Sequence, residues 1–169
     1  MRIEEEIKLD YSDVLFRPKR STLKSRKDVD LNRKYTFKYS KLSWKGIPII
    51  ASNMDGVGEI GVAKKLSSHK LMTALTKQHN TDQIAPIYDK KIFYDSIALS
   101  CGTSKDSYER LNKILKKFPK FNFICIDVAN GYSENFSKFV SEVRKKYPNK
   151  TIIAGNVVTA DMTQELVLS

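Results

Sequence analysis

Residues 121–154 read FNFICIDVANGYSENFSKFVSEVRKKYPNKTIIA, and this stretch decides the fold. It opens with the apolar run 121–126 and closes with the apolar run 151–154. Between the runs, apolar residues recur at helical spacing: Phe136, Phe139, Val140 and Val143. Ser133 is a candidate N-cap, and Pro148 lies where the helix should end. Because consecutive apolar residues suit strands buried on both faces, the stretch predicts a strand–helix–strand unit of a parallel sheet.

The same pattern covers the chain from residue 49 onward. Earlier apolar runs occupy residues 49–51, 71–75 and 97–99, and two further helical patterns end at Leu66 and at Phe118. The order βαβαβαβαβ is typical of an α/β fold. Periodicity leaves two architectures open, a doubly wound sheet and a barrel. No GxGxxG follows the first strand, which disfavours a dinucleotide-binding sheet.

Residues 1–48 lack the alternation of apolar runs and helical patterns that covers the rest of the chain. Up to residue 33 they are polar and irregular, and we expect an arm that packs on something else. Residues 35–39 have strand chemistry and Trp44 follows after a polar turn, which predicts a small hairpin. The predicted division is therefore an arm with a hairpin over 1–48 and five strand–helix units over 49–169.

Charge limits the kinds of partner. The 169 residues carry a net charge of +11 and a pI of about 9.6, which favours anionic partners such as nucleotides and phosphates. Basic residues cluster near the N-terminus at Arg17, Lys19, Arg20, Lys24, Arg26 and Lys27. A solvated surface is the commoner explanation of one such cluster. Stacking of single-stranded nucleic acid needs aromatic residues interleaved on a basic strand, and no convincing set is present, so nucleic acid is not predicted as a partner.

The cysteines and the apolar runs bear on the cellular compartment of the protein. Cys101 and Cys125 lie in or beside apolar runs and outside any CxxC pattern, so we expect neither a disulfide nor a metal site. The N-terminus lacks an apolar leader, and no run reaches the roughly 18 apolar residues that cross a membrane. The sequence predicts a reduced, cytoplasmic protein without a membrane partner.

Polar residues follow every predicted strand of the sheet. In a barrel, chemistry is carried out at these carboxyl ends. Lys77 can hold an anion or transfer a proton, and Asp127 can accept hydrogen bonds from a ribose or an amide. Turns need polar residues too, so each position also has an ordinary explanation. We expect His69 and His79 at the surface and both cysteines in the core.

Four stretches make the chain recognisable: residues 9–26 (LDYSDVLFRPKRSTLKSR), 49–55 (IIASNMD), 126–133 (IDVANGYS) and 154–159 (AGNVVT). In this order they resemble the N-terminal half of the GMP reductases, within the IMP dehydrogenase/GMP reductase family. The resemblance implies a (β/α)8 TIM barrel, of which this chain covers about the first five strands. It also implies assembly as a homotetramer.

The resemblance further implies a reaction in purine nucleotide salvage and interconversion. Members of the family reduce GMP to IMP and ammonia with NADPH, after a cysteine has attacked the purine at C2. A monovalent cation, potassium, is compatible with the complete enzyme. The loop with the nucleophilic cysteine and a catalytic threonine is expected beyond residue 169. We therefore expect residues 1–169 alone to be inactive.

Matching motifs carry the family's site residues onto this chain. Lys77 is the implied catalytic residue, a proton donor to the departing ammonia, and Met54 is implied to pack against the purine. The implied cofactor-binding residues are Ser25, Arg26, Lys77, Asp127, Val128, Ala129 and Asn156. Ser25 and Arg26 should contact NADPH bound to the neighbouring subunit, where a guanidinium suits a phosphate.

Three positions depart from the family's usual residues. The chain has Gly56 where threonine is usual, Thr76 where histidine is usual and Gln78 where histidine is common. Two alternatives stay open. One is an IMP dehydrogenase-like enzyme that works in the opposite redox direction with NAD. The other is a non-catalytic basic module that binds nucleotides.

Overall fold

The chain divides into two compact units, Met1–Asp30 and Leu31–Ser169. The computed structural model describes residues 5, 7 and 9–169. The rest of the predicted arm, residues 1–4, 6 and 8, lies outside the described residues. The predicted hairpin belongs to the second unit, together with the strands of the sheet. The division of one barrel domain at residue 48 stays a prediction.

The described residues of the first unit include two short 3-10 helices and are otherwise irregular. They span Tyr11–Asp13 and Arg26–Asp28. The second begins with a capping box, in which the Ser25 side chain accepts from the Lys27 amide at 3.3 Å and the Asp28 carboxylate accepts from the Ser25 amide at 3.0 Å. Local side-chain caps thus order a segment that the polar sequence predicts to be irregular.

The second unit begins with the hairpin. Strand β1 (Arg33–Thr36) pairs with β2 (Ser43–Gly46) in antiparallel register. The predicted strand at 35–39 ends at Thr36, because Phe37 already belongs to the turn. The Phe37 amide donates to the Leu42 carbonyl at 2.9 Å, and the Phe37 carbonyl accepts from the Lys41 amide at 2.9 Å.

Five parallel strands form one sheet. They are β3 (Ile50–Ala51), β4 (Met72–Ala74), β5 (Ile97–Cys101), β6 (Phe123–Asp127) and β7 (Thr151–Gly155). Each strand falls on one of the predicted apolar runs. The order in the sheet is the order along the chain, whereas doubly wound sheets reverse their order. The structure therefore selects the curled, barrel-type sheet and covers part of a barrel.

Helices follow the strands of the sheet. They are α1 (Ile60–Ser68), α2 (Thr81–Tyr88), α3 (Lys91–Tyr94), α4 (Lys105–Lys117), α5 (Glu134–Lys146) and α6 (Ala160–Leu168). The predicted cap of α5 is confirmed, because the Ser133 side chain accepts from the Phe136 amide at 3.3 Å. Two short helices fill the gap between β4 and β5. The first contains Pro86, which lacks the amide needed to extend the hydrogen-bond ladder.

The two faces of the sheet bury different partners. On β6, Ile124 and Ile126 join the large apolar cluster that the helices form. Phe123 and Cys125 alternate with them and join a smaller cluster with Trp44 of the hairpin. The ring of Phe123 also meets the ring of Phe37 edge-on, with 5.6 Å between centroids. The hairpin therefore covers the inner face of the sheet, away from the carboxyl ends of the strands.

Candidate functional site

The carboxyl ends of the five parallel strands meet along one edge of the sheet, and the loops that follow them form the candidate site. Asp127, the last residue of β6, pairs with Gly155, the last residue of β7. On the other side of β6, Ile126 pairs with Cys101, the last residue of β5. The polar residues predicted at the strand ends therefore belong to neighbouring loops.

The loops after β6 and β7 are joined through their backbones. The Val128 amide donates to the Gly155 carbonyl at 2.8 Å, and the Asn156 amide donates to the Val128 carbonyl at 2.8 Å. The Gly131 amide donates to the Asn156 carbonyl at 2.9 Å. A Cβ at position 131 would lie 2.8 Å from that carbonyl oxygen, so this contact needs glycine. Asp127 is half-buried there, whereas Ala129 and Asn156 are exposed.

Tyr132 is a second link between these two loops, and sequence reasoning missed it. Its phenolic oxygen accepts from the amides of Val158 at 2.8 Å and Thr159 at 2.9 Å. The Tyr132 and Thr159 hydroxyl oxygens also lie 3.2 Å apart. The hydrogen bonds with the Thr159 hydroxyl and the Val158 amide lower the pKa of Tyr132 below its ordinary value. Tyr132 lies in one of the recognised stretches, 126–133, but the sequence could not show its role because its partners lie 26 and 27 residues away.

The loop after β3 carries Met54 and is tied to β4. The Met54 carbonyl accepts from the amides of Val57 at 3.0 Å and Gly58 at 2.8 Å. The Thr76 amide then donates to the Gly58 carbonyl at 2.9 Å. Met54 itself is 64% exposed, so no described residue of this unit covers its side chain, which leaves the predicted contact surface for a purine accessible.

Lys77 lies in the segment between β4 and α2. Its side chain is exposed, while its neighbour Thr76 is buried. Lys77 makes no hydrogen bond or ion pair with any described residue. An exposed cation beside the strand ends can take an anion or a proton acceptor as a partner, and the role of Lys77 stays a prediction.

The expectation that His79 lies at the surface is wrong. His79 is only 7% exposed, because its ring turns inward. Its Nδ1 lies 3.0 Å from the Thr76 hydroxyl oxygen, and its Nε2 lies 3.2 Å from a Glu59 carboxylate oxygen. A buried ring needs partners for both nitrogens, and these two side chains provide them. His69 is exposed, as expected.

Cys101 and Cys125 are core residues, as predicted. Both are free and buried, at 0% and 8% exposure. Burial raises the pKa of the Cys101 thiol to about 12 and that of the Cys125 thiol to about 11. Because the thiolate is the nucleophilic form, neither cysteine is suited to attack a substrate.

We expect both thiols to resist alkylation in the folded protein. At pH 8, peptide-resolved alkylation with iodoacetamide should leave Cys101 and Cys125 unmodified, and both should react after denaturation in guanidinium. The raised pKa values also predict a loss of stability at high pH. The unfolded chain releases these protons from pH 9.0, whereas the folded chain retains them to about pH 11 at Cys125 and about pH 12 at Cys101, so the contribution to stability falls between those values. Fast alkylation of either native thiol contradicts this account.

Ser25 and Arg26 lie in the first unit and are exposed. The Ser25 side chain is engaged in the cap of the short helix that follows it. The guanidinium of Arg26 is accessible, and its predicted contact with a cofactor of a neighbouring subunit stays a prediction.

Two features are absent from the part of the chain that the structure describes. No helix there has the length and apolar character that crossing a membrane requires. Among the same residues, no group of three His, Cys, Asp or Glu side chains is placed to hold a metal ion.

Comparison with known proteins relates this geometry to a family. A family model described as "IMP dehydrogenase / GMP reductase domain" matches residues 8–169. The chain is 50% identical over 171 residues to the GMP reductases of Klebsiella pneumoniae subsp. pneumoniae and of Escherichia coli K12. These alignments cover 100% of this chain and 49% of each relative, so the chain spans about half the length of the curated relatives.

A solved structure supports the fold independently. The inosine 5'-monophosphate dehydrogenase of Legionella pneumophila superimposes with a TM-score of 0.71 at 24% identity. The match covers 93% of this chain and 46% of that chain, which confirms the α/β barrel-type fold and its partial extent. The family model spans nearly the whole chain, and the resemblance of the four motifs is thereby confirmed. The chain belongs to the IMP dehydrogenase/GMP reductase family.

Proposed function

We propose that this protein reduces GMP to IMP and ammonia with NADPH, in the interconversion of purine nucleotides. The observation that carries the proposal is the arrangement of the strand ends. An exposed Lys77, which pairs with no described residue, follows β4. A half-buried Asp127 ends β6, and the loop after it is hydrogen-bonded to the loop that carries Asn156. The 50% identity to GMP reductases over the whole chain supports this choice within the family.

The chemistry of these side chains fits a nicotinamide cofactor. The Asp127 carboxylate accepts hydrogen bonds, as the hydroxyls of a ribose or a carboxamide would require. The loops after β6 and β7 also contain Val128, Ala129 and Asn156. Arg26 on the arm offers a guanidinium suited to a phosphate. We propose that Ser25 and Arg26 perform this role across a subunit interface, in a homotetramer.

The proposed reaction consumes a proton and releases the amino group at C2. GMP, NADPH and a proton give IMP, NADP+ and ammonia. When bound, NADPH supplies the hydride that replaces the amino group. Lys77 donates a proton to the departing nitrogen, and Met54 packs against the purine ring. Neither cysteine of residues 1–169 is exposed, so we expect no turnover from these residues alone.

The proposal also concerns a potassium ion and a cytoplasmic location. A potassium ion in the complete enzyme is compatible with the family, and no step above depends on it. A cytoplasmic location is supported by two free, buried thiols, which a reducing compartment preserves.

The direction of the reaction separates the proposal from its alternatives. We expect the protein that the gene encodes to oxidise NADPH when GMP is present, followed by the absorbance of the reduced nicotinamide, and to show no comparable reduction of NAD with IMP. NAD reduction with IMP instead supports a dehydrogenase. Tight RNA binding that weakens steeply with salt, without any effect of GMP, supports a basic binding module.

A further inference from the structure

A polar cluster lies beside the segment that carries Lys77, and we name it the His79 cluster: Glu59, Thr76 and His79. Thr76 and His79 are buried, whereas the Glu59 side chain is 45% exposed. The Nδ1 atom of His79 lies 3.0 Å from the Thr76 hydroxyl oxygen and 3.2 Å from the Thr76 carbonyl oxygen. The Nε2 atom of His79 lies 3.2 Å from a carboxylate oxygen of Glu59. His79 and Thr76 are 7% and 5% exposed. Both ring nitrogens have partners, so the ring has one favourable orientation.

The chemistry of the partners sets the proton on the ring. A carboxylate only accepts hydrogen bonds, so the Glu59 side chain fixes a proton on Nε2. Glu59 is the N-cap residue of α1 but makes no side-chain bond to that helix, so its carboxylate serves the histidine instead. With that proton on Nε2, the Nδ1 atom of the neutral ring accepts a hydrogen bond from the Thr76 hydroxyl, and the Thr76 carbonyl, which only accepts, is not its partner.

A contact between the side chains of Thr76 and His79 closes a short loop of backbone that contains Lys77. Thr76 precedes Lys77, His79 follows two residues later, and their side chains are bonded to each other. Gly58, next to Glu59, accepts from the Thr76 amide at 2.9 Å. The loop after β3 and the loop after β4 are thus joined by a backbone bond and by the histidine ring.

Arg110 of α4 extends the link to β5. Its guanidinium donates to the His79 carbonyl at 3.4 Å and to the Ser100 carbonyl at 3.3 Å. Three consecutive strand ends therefore support the backbone on both sides of Lys77. The side chain of Lys77 is exposed and pairs with no residue that the structure describes, so this backbone determines its direction.

We propose that His79 is a positioning residue for Lys77, acting through Thr76 and Glu59. The role rests on the proposed function, in which Lys77 donates a proton. His79 itself is buried and touches no reacting atom. It holds the segment 76–79 in the shape that directs Lys77 into the site, and it couples that segment to the loop that carries Met54.

Three variants of the gene-encoded protein test this role. His79→Phe keeps a ring and removes both polar contacts; a cavity of about 110 Å3 beside the ring leaves room for it. His79→Gln keeps a donor that can reach Glu59. Glu59→Gln weakens the cluster from its other side. The exposed His69 provides matched controls, His69→Phe and His69→Gln.

We expect His79→Phe to lower kcat for GMP reduction by about 10-fold to 100-fold, because misplacing a catalytic group by about 1 Å costs up to about 10²-fold. The KM for GMP should change little. His79→Gln should recover part of the loss, and the effects of His79→Gln and Glu59→Gln should not add in the double variant. The His69 variants should match the wild type. An unchanged kcat in folded His79→Phe overturns the proposal, as does a loss confined to thermal stability.

A second measurement does not depend on activity. Hydrogen exchange of the Thr76 amide, which is bonded to Gly58, should accelerate in all three variants relative to the amides of β6. If the wild type shows no GMP reduction, the proposed function fails and this exchange still decides whether His79 holds the segment. Unchanged exchange contradicts the role of His79. If His79→Phe does not fold, His79→Gln and Glu59→Gln give the same decision.

Discussion

Replacing Lys77 with methionine is expected to lower kcat for GMP reduction by about 10²–10⁴-fold, the usual contribution of a general acid. The change keeps the length of the side chain and removes its proton. Lys77 is exposed, so the substitution should leave the free energy of unfolding within about 0.5 kcal/mol of the wild type. Steady-state kinetics of the gene-encoded protein, together with a thermal melt, separate the two effects.

A matched control comes from the outer helices. Lys113 is exposed on α4 and lies outside the site, so Lys113→Met should leave kcat and the KM values unchanged. If Lys77→Met raises only the KM for NADPH, the lysine binds the cofactor and does not transfer the proton. Wild-type kinetics in Lys77→Met contradict any role for this residue in the reaction.

Gly58→Ala is expected to destabilise the folded protein by about 1–3 kcal/mol, because the added methyl group has no space. A Cβ at this position would lie 2.6 Å from the Ala74 carbonyl oxygen and 2.9 Å from the Thr76 amide nitrogen. Both are backbone atoms, so no side chain can move aside. The loop after β3 must shift away from Thr76, and activity should fall together with stability.

Gly61→Ala is the control for this prediction. Gly61 lies in α1 three residues later, and a Cβ there meets no atom within 4 Å. Alanine favours the helix over glycine by about 0.5–1 kcal/mol, so stability should stay the same or rise. Chemical unfolding monitored by circular dichroism compares the two variants. Equal stability of Gly58→Ala and the wild type contradicts the close approach of the two loops.

The sequence predicted the elements of the sheet well, because each depends on local pattern. Residues 123–126 are apolar at consecutive positions since β6 is buried on both faces, by helices on one and by the hairpin on the other. The cap at Ser133 was predictable for the same reason, since its partner lies three residues away. Strand order is different. Barrel and doubly wound sheets share one local pattern, so the choice between them came from the structure.

The candidate site was predicted only in part, because its contacts link distant residues. A polar residue in a loop is typical of a surface position, and His79 was assigned to the surface for that reason. Its burial depends on Glu59, which precedes it by a full helix. Tyr132 likewise binds amides of the following loop. Lys77 and Asp127 were predicted to lie near one another because the carboxyl ends of parallel strands share one edge, and their roles stay a prediction.

The fate of the amino nitrogen of GMP tests the central claim most directly. GMP labelled with ¹⁵N at its exocyclic amino group is incubated with NADPH and the gene-encoded protein. The account predicts labelled ammonia and unlabelled IMP in amounts equal to the NADPH oxidised, and none of these products without NADPH. Label that stays in the purine contradicts the proposed function. So does a parallel incubation in which the protein oxidises IMP with NAD but leaves GMP and NADPH unchanged.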